Sequence, residues 1–161
     1  MKEVYDKLSS YNIFNYLFPG ILFVVLSKVF VGYNFILENN FLGAFLYYFI
    51  GMVISRYGSI IIEPVLKKIT FLRFEPYRDF VNACKKDTKI ELLSEVNNTY
   101  RTIVSMVLLL LLSKLYFFLD VKFRFTKDTA YLTLLVLLLL MFLFSYRKQT
   151  NYVSKRIKAN I

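Results

Sequence analysis

Four stretches of the chain, residues 13–31, 41–62, 103–119 and 130–146, are long, apolar and nearly free of charge, and no other feature constrains the fold as much. At 1.5 Å of rise per residue the shortest, about 17 residues, reaches roughly 26 Å as a helix, slightly under the hydrocarbon thickness of a bilayer. In lipid every backbone polar group has to be satisfied internally, which favours helices for spans of this length. A water-soluble domain of 161 residues does not bury enough surface to hide a chain that is 57% apolar with a mean hydropathy of +0.50. The expectation is an all-α, polytopic membrane protein, one unit over residues 1–161, with four transmembrane helices and a small cytoplasmic helical cap between spans two and three.

Spans three and four carry the runs LLLLL at 108–112 and LVLLLLMFLF at 135–144. Span one contains Pro19-Gly20, where the missing N–H removes a rung of the helix ladder and invites a kink. It is preceded by acids as well as lysines and followed by GYNFILENN, without a small-residue cleavage site, so it is expected to stay in the mature protein. Lysine and arginine outside the spans set the orientation. The first twelve residues, 63–102 and the tail 147–161 hold 2, 8 and 5, whereas the short loops 32–40 and 120–129 hold 0 and 3. This asymmetry predicts that both termini and the central loop are cytoplasmic.

The central loop, 63–102, reads as a helical cap. Glu63-Pro64 and Glu75-Pro76 each look like a helix start, with proline in the first turn and a carboxylate at the positive end of the dipole. After Asp87-Thr88 the face Ile90, Leu93, Asn97 and Tyr100 runs without a stop signal into span three, predicting one helix from about Lys89 to Leu119. Leu93, Val96 and Tyr100 then need an apolar partner, which Phe80 and Ala83 of segment 77–84 offer, with neighbouring subunits as further support. The tail spaces Val153, Ile157 and Ile161 at intervals of four among five basic residues and no acid. That is an amphipathic basic helix, suited either to anionic lipid or to a polyanion such as a nucleotide.

Chemistry inside the spans is sparse. With no histidine and one cysteine, neither a nitrogen or thiolate metal cage nor a disulfide framework is expected, and no cofactor is implied. The spans contain no Asp or Glu, which argues against proton-coupled transport and intramembrane aspartyl proteolysis. No serine has a histidine partner, so no catalytic residue is nominated and an enzyme is not expected. Lys28 and Lys114 lie near the outer ends and can snorkel. Arg56 lies roughly 9 Å from the inner end of span two, and a mid-helix arginine costs about 2.5 to 3.5 kcal/mol on insertion scales. With Ser55 it is the intramembrane polar candidate, either bonded to carbonyls or facing a wet lumen, where it would attract anions. Ala44, Gly51, Ser55 and Gly58 form a strip of small residues suited to close helix packing. The aromatic residues near both ends of the spans fit the usual interfacial belts.

The opening YNIFNYLFPGILF (11–23), PYRDF (76–80) and DTKIELLSEVNNTYRT (87–102) resemble a family of small four-span bacterial membrane proteins of anti-phage defence, most similar to the channel-forming subunits of Hailong systems. The resemblance covers about the first hundred residues. It implies a homo-oligomeric ion channel of the bacterial inner membrane whose opening depolarises the host. It further implies a nucleotidyltransferase partner making single-stranded DNA oligomers that hold the channel shut. No ligand motif transfers with it, so Arg73, Arg78, Lys85, Lys86, Lys89 and Arg101 are nominated as polyanion-binding from charge and position alone. The competing expectation is a non-conducting membrane adaptor that anchors a soluble cytoplasmic partner.

The topology is open to direct test. A thiol engineered into the cap is expected to resist a bulky impermeant reagent applied to intact cells, and ready labelling from outside would reverse the orientation.

Overall fold

A computed structural model describes residues 10–124 and 126–160, and all its regular elements are helices. Four are long and apolar enough to cross a membrane: α1 (Ser10–Val31), α2 (Asn40–Lys68), α4 (Lys89–Phe123) and α5 (Lys127–Asn160). A fifth, α3 (Tyr77–Lys86), lies between α2 and α4. The protein is thus an all-α polytopic membrane protein, as its apolar runs predict. Ser10, the connector before α3, α3 itself and the end of α5 lie at one end of the bundle, called here the basic end.

Two prolines fall inside spans, and each is accommodated in the same way. Proline cannot donate to the carbonyl four residues earlier, and its ring crowds that carbonyl. For Pro19 the crowded residue is Asn15 and for Pro64 it is Ile60; each is the middle residue of a five-residue π turn, Ile13–Leu17 and Gly58–Ile62. The turns are closed by i→i−5 bonds, Phe18 N–H to the Ile13 carbonyl and Glu63 N–H to the Gly58 carbonyl. Widening the ladder by one residue takes each helix past its proline. The expectation of a new helix at Glu63-Pro64 is therefore corrected: α2 continues through this pair to Lys68. Glu75-Pro76 does mark a start. Pro76 is extended (φ −53°, ψ 139°), and its carbonyl accepts from Asp79 and Phe80. Asp79 in the first turn and Lys85 and Lys86 in the last complement the dipole.

The core is formed by α1, α2 and α4. At two places α1 and α2 touch backbone to backbone: a Cβ at Gly20 would collide with the Tyr47 carbonyl, and one at Gly51 with the Tyr16 carbonyl. Gly58 lies against α4 instead, where a Cβ would collide with the Ser105 hydroxyl and crowd Arg101. The small-residue strip on α2 is used within one chain, and only in part. Gly51, Ser55 and Gly58 are buried there, while Ala44 is exposed and its place near the far end is taken by buried Gly43. Asn39 caps α2 by accepting from the N–H groups of Phe41 and Leu42 at 3.0 and 3.1 Å.

The fourth span, α5, has no fully buried residue. It leans on α2 through the Phe49–Phe142 ring pair, 6.2 Å between centroids, and on α3 through Tyr77–Tyr152 at 5.9 Å. The expected tail helix is the direct continuation of α5. The helix predicted from Lys89 to Leu119 is found, four residues longer, as α4. Its expected cover is not. Leu93 and Tyr100 are 66% and 65% exposed and Val96 is exposed as well, because α3 packs chiefly against α5 and buries Val81.

Since neither carbonyl facing Gly20 or Gly51 can retreat without bending a helix, Gly20→Ala and Gly51→Ala are each expected to destabilise the protein by about 1–3 kcal/mol. Unfolding of detergent-solubilised protein followed by helical circular dichroism measures this. Gly43→Ala, whose added methyl would meet only the Tyr47 ring at 3.2 Å and beyond, is expected to do less.

Candidate functional site

Polar side chains converge near the basic end in two adjoining layers. In the deeper layer are Asn15 from the α1 π turn, Ser55 from α2 and Thr102 from α4, with relative exposures of 0%, 4% and 0%. Asn15 Nδ2 donates to Ser55 Oγ at 3.3 Å. Thr102 Oγ1 lies 2.8 Å from Asn15 Oδ1, 3.2 Å from Ser55 Oγ and 2.9 Å from the Asn98 carbonyl, so its single proton is shared among three acceptors. Ser105 donates to the Arg101 carbonyl at 2.7 Å. A buried polar group without a partner would cost several kcal/mol in lipid, and here side chains from three spans satisfy one another.

The second layer is ionic. Glu63, 6% exposed, receives Lys67 Nζ at 2.8 Å on Oε1 and Arg101 Nη1 at 2.7 Å on Oε2, with Lys148 Nζ at 3.7 Å from Oε1. Lys148 also donates to the Ser59 carbonyl at 2.5 Å and to Ser59 Oγ at 2.8 Å, tying the end of α5 to α2. Lys67 lies 3.9 Å from the centroid of the Phe74 ring, a cation–π contact that anchors the connector. One carboxylate thus faces three cations on α2, α4 and α5. Beside this node a small cavity is lined by Arg56, Ser59, Ser145, Lys148, Gln149 and Tyr152, a set that adds a fourth cation and no acid. The arrangement can hold anions.

Of the residues nominated from sequence, the structure brings Ser55, Arg56 and Arg101 together here. Arg73, Arg78, Lys85, Lys86 and Lys89 are exposed and dispersed over the connector, α3 and the start of α4, with no ion pair among the described residues. Lys85 and Arg156 do share the lining of a second cavity, with Phe80, Val81, Cys84, Glu91 and Asn160. Sequence reasoning missed Asn15, Glu63, Thr102 and Lys148. Their signals were an amide four residues before a span proline, and a carboxylate four residues before Lys67 on what proves to be one helix. The spans as first bounded exclude Glu63 by one residue, and it is this acid that lies buried among the helices.

Comparison with sequence profiles of known families, with characterised proteins and with solved structures gives no match to this chain.

Removing the shared carboxylate would leave cations of three helices facing one another. Glu63→Ala is expected to destabilise the protein by about 3–5 kcal/mol. Lys67→Ala, whose side chain is 40% exposed, is expected to cost less than about 1 kcal/mol. In a double-mutant cycle by thermal unfolding, Glu63→Ala combined with Arg101→Ala should fall well short of additivity.

Proposed function

We propose that the chain is the channel-forming subunit of a homo-oligomer in the bacterial inner membrane, with both termini and the cap cytoplasmic. It is gated there by a polyanionic nucleotide or single-stranded DNA oligomer and acts by depolarising the membrane in anti-phage defence. The observation that carries this reading is the excess of cations over carboxylate in the buried node. It lies on helices that run unbroken from the basic extramembrane segments into the spans. A phosphate reaching this end competes with Glu63 for Arg101, and a shift of α4 at Arg101 is felt one residue later at Thr102, inside the three-helix polar layer. Because α1, α2 and α4 are in close contact at Gly20, Gly51 and Gly58, a conducting path would run between copies, with Arg56 favouring anions along it. A nucleotidyltransferase would supply the oligomers.

A membrane adaptor is the second reading. Leu92, Leu93 and Tyr100 stand 59%, 66% and 65% exposed on the protruding half of α4, a surface that suits a soluble partner as well as another subunit. Co-purification of such a partner at fixed ratio, without dye leakage from liposomes, would favour it.

Planar-bilayer recording of the purified protein separates the two. The channel reading expects unitary currents that change on addition of single-stranded DNA oligomers at the basic side, and a reversal potential shifted toward cations in Arg56→Gln. Silent bilayers from an intact oligomer would overturn it, and an unchanged reversal potential would remove Arg56 from the conducting path.

A further inference from the structure

Leu93, Asn97, Tyr100, Val104, Val107 and Leu111 of α4 follow one another at alternating intervals of four and three, and all six are exposed. At 100° per residue each lies about 140–180° round the helix from Thr102, which is wholly buried in the polar layer, so they form one stripe opposite the face that packs on α1 and α2. This alternation is the 3.5-residue repeat of a coiled-coil seam, whose natural complement is a helix carrying the same repeat. The stripe runs roughly 27 Å and crosses a change of solvent. Leu93, Asn97 and Tyr100 stand on the protruding half, whereas Val104, Val107 and Leu111 belong to the uncharged apolar run. Lipid can cover only the second group, and a soluble protein only the first. A second copy of this chain, inserted with the same orientation, brings the same two-part stripe alongside in register and covers both.

Asn97 favours an identical partner over an unrelated one. Counted by the repeat it occupies an a position, with Leu93 and Tyr100 at the flanking d positions, and its side-chain amide has no hydrogen-bond partner among the described residues. In a parallel seam of identical helices the amide meets its own counterpart, donor to acceptor, an arrangement that fixes register. Against a purely apolar surface it would be left unsatisfied. We propose that this stripe is a homotypic interface, α4 of one copy running parallel to α4 of another and aligned at Asn97. The seam ends at the next position of the repeat, Lys114, whose ammonium lies 5.3 and 5.4 Å from the centroids of the Phe117 and Phe118 rings, toward the far end of the helix. This interface deepens the homo-oligomer part of the reading above, on which it rests, and it stands whether or not the protein conducts.

The test uses the full chain with Cys84→Ser, reconstituted in liposomes, carrying one added cysteine at a time and treated with a short bis-thiosulfonate linker. Neighbouring exposed leucines are compared: Leu93→Cys against Leu92→Cys on the protruding half, and Leu111→Cys against Leu112→Cys within lipid. Leu93→Cys and Leu111→Cys are expected to form cross-linked dimers about ten-fold faster than their neighbours, at a rate unchanged on dilution into more lipid. Tyr100→Glu sets carboxylates face to face in the seam while altering a side chain that is 65% exposed in the single copy. It should lower the cross-linked yield at Leu111→Cys several-fold and leave the helical circular dichroism unchanged. Equal rates within each pair would overturn the interface. Cross-linking confined to Leu135→Cys on α5, in an assembly whose mass by light scattering remains that of an oligomer, would move the contact to α5 and keep the homo-oligomer. A mass of one chain at every concentration would end both. Linking at Leu111→Cys without Leu93→Cys would also sink the seam, leaving the protruding half to a soluble partner. Efficient linking along the seam in vesicles that pass no current would uphold the interface while removing the channel.

Discussion

The carboxylate of Glu63 fixes how three of the four spans meet. Lys67 on its own helix, Arg101 on α4 and Lys148 on α5 all point at it, and without a shared anion these cations would repel. Withdrawing charges from water costs several kcal/mol per ion, and that cost is offset only where the geometry is close and the remaining hydrogen-bond capacity is used. Both conditions are met: two contacts are under 3 Å, and the third cation also bonds Ser59. The backbone contributes as well. Ser55, Ser59 and Glu63 are spaced by four, which on a regular α-helix drifts by about 40° per step. The π turn at Gly58–Ile62 winds more widely and counters the drift, keeping all three on the side that faces α4 and α5.

The bundle divides into a tightly joined part and a loosely attached one. α1 and α2 are locked by backbone contact at Gly20 and Gly51, and α4 is joined to them by the Ser105 side chain at Gly58 and by the Asn15–Ser55–Thr102 layer. α5 is held by a few ring contacts and by Lys148. In the proposed channel this division places the mobile surface at α5 and at the exposed half of α4, where lipid, ligand and neighbouring copies would exchange contacts.

Much of this could be read from the chain directly. Uninterrupted apolar runs gave four spans, the absence of a stop signal after Thr88 gave the long α4, and the small residues Gly51, Ser55 and Gly58 marked a packing face. What escaped depended on three-dimensional register. Glu63 beside Pro64 has the local signature of a helix start, and only the π turn lets the helix pass, so a residue assigned to a loop becomes the buried acid of the bundle. Lys148 was one of five basic residues in a tail, and nothing local distinguishes it from Arg147 or Lys155. Asn15 and Thr102 are 87 positions apart and make sense only as a pair. Ala44 was misplaced for the opposite reason: it shares the composition of the packing strip, but at that level the buried position is its neighbour Gly43 and Ala44 is exposed.

The π turns also bear on which changes the chain can absorb over time. Each holds one residue more than an α-helical turn requires, and the wider turn takes up that surplus and so carries the helix past its proline. Losing a single residue within 58–62 would let the ladder close into an ordinary α turn, leaving Glu63 at nearly the same rotational phase relative to Ser55 but setting the ring of Pro64 back against the carbonyl four residues before it. A lipid-facing leucine on α5 can be exchanged for almost any other apolar residue, whereas these two short segments are held both in length, by their prolines, and at Asn15, Gly58 and Ser59, by what those residues touch.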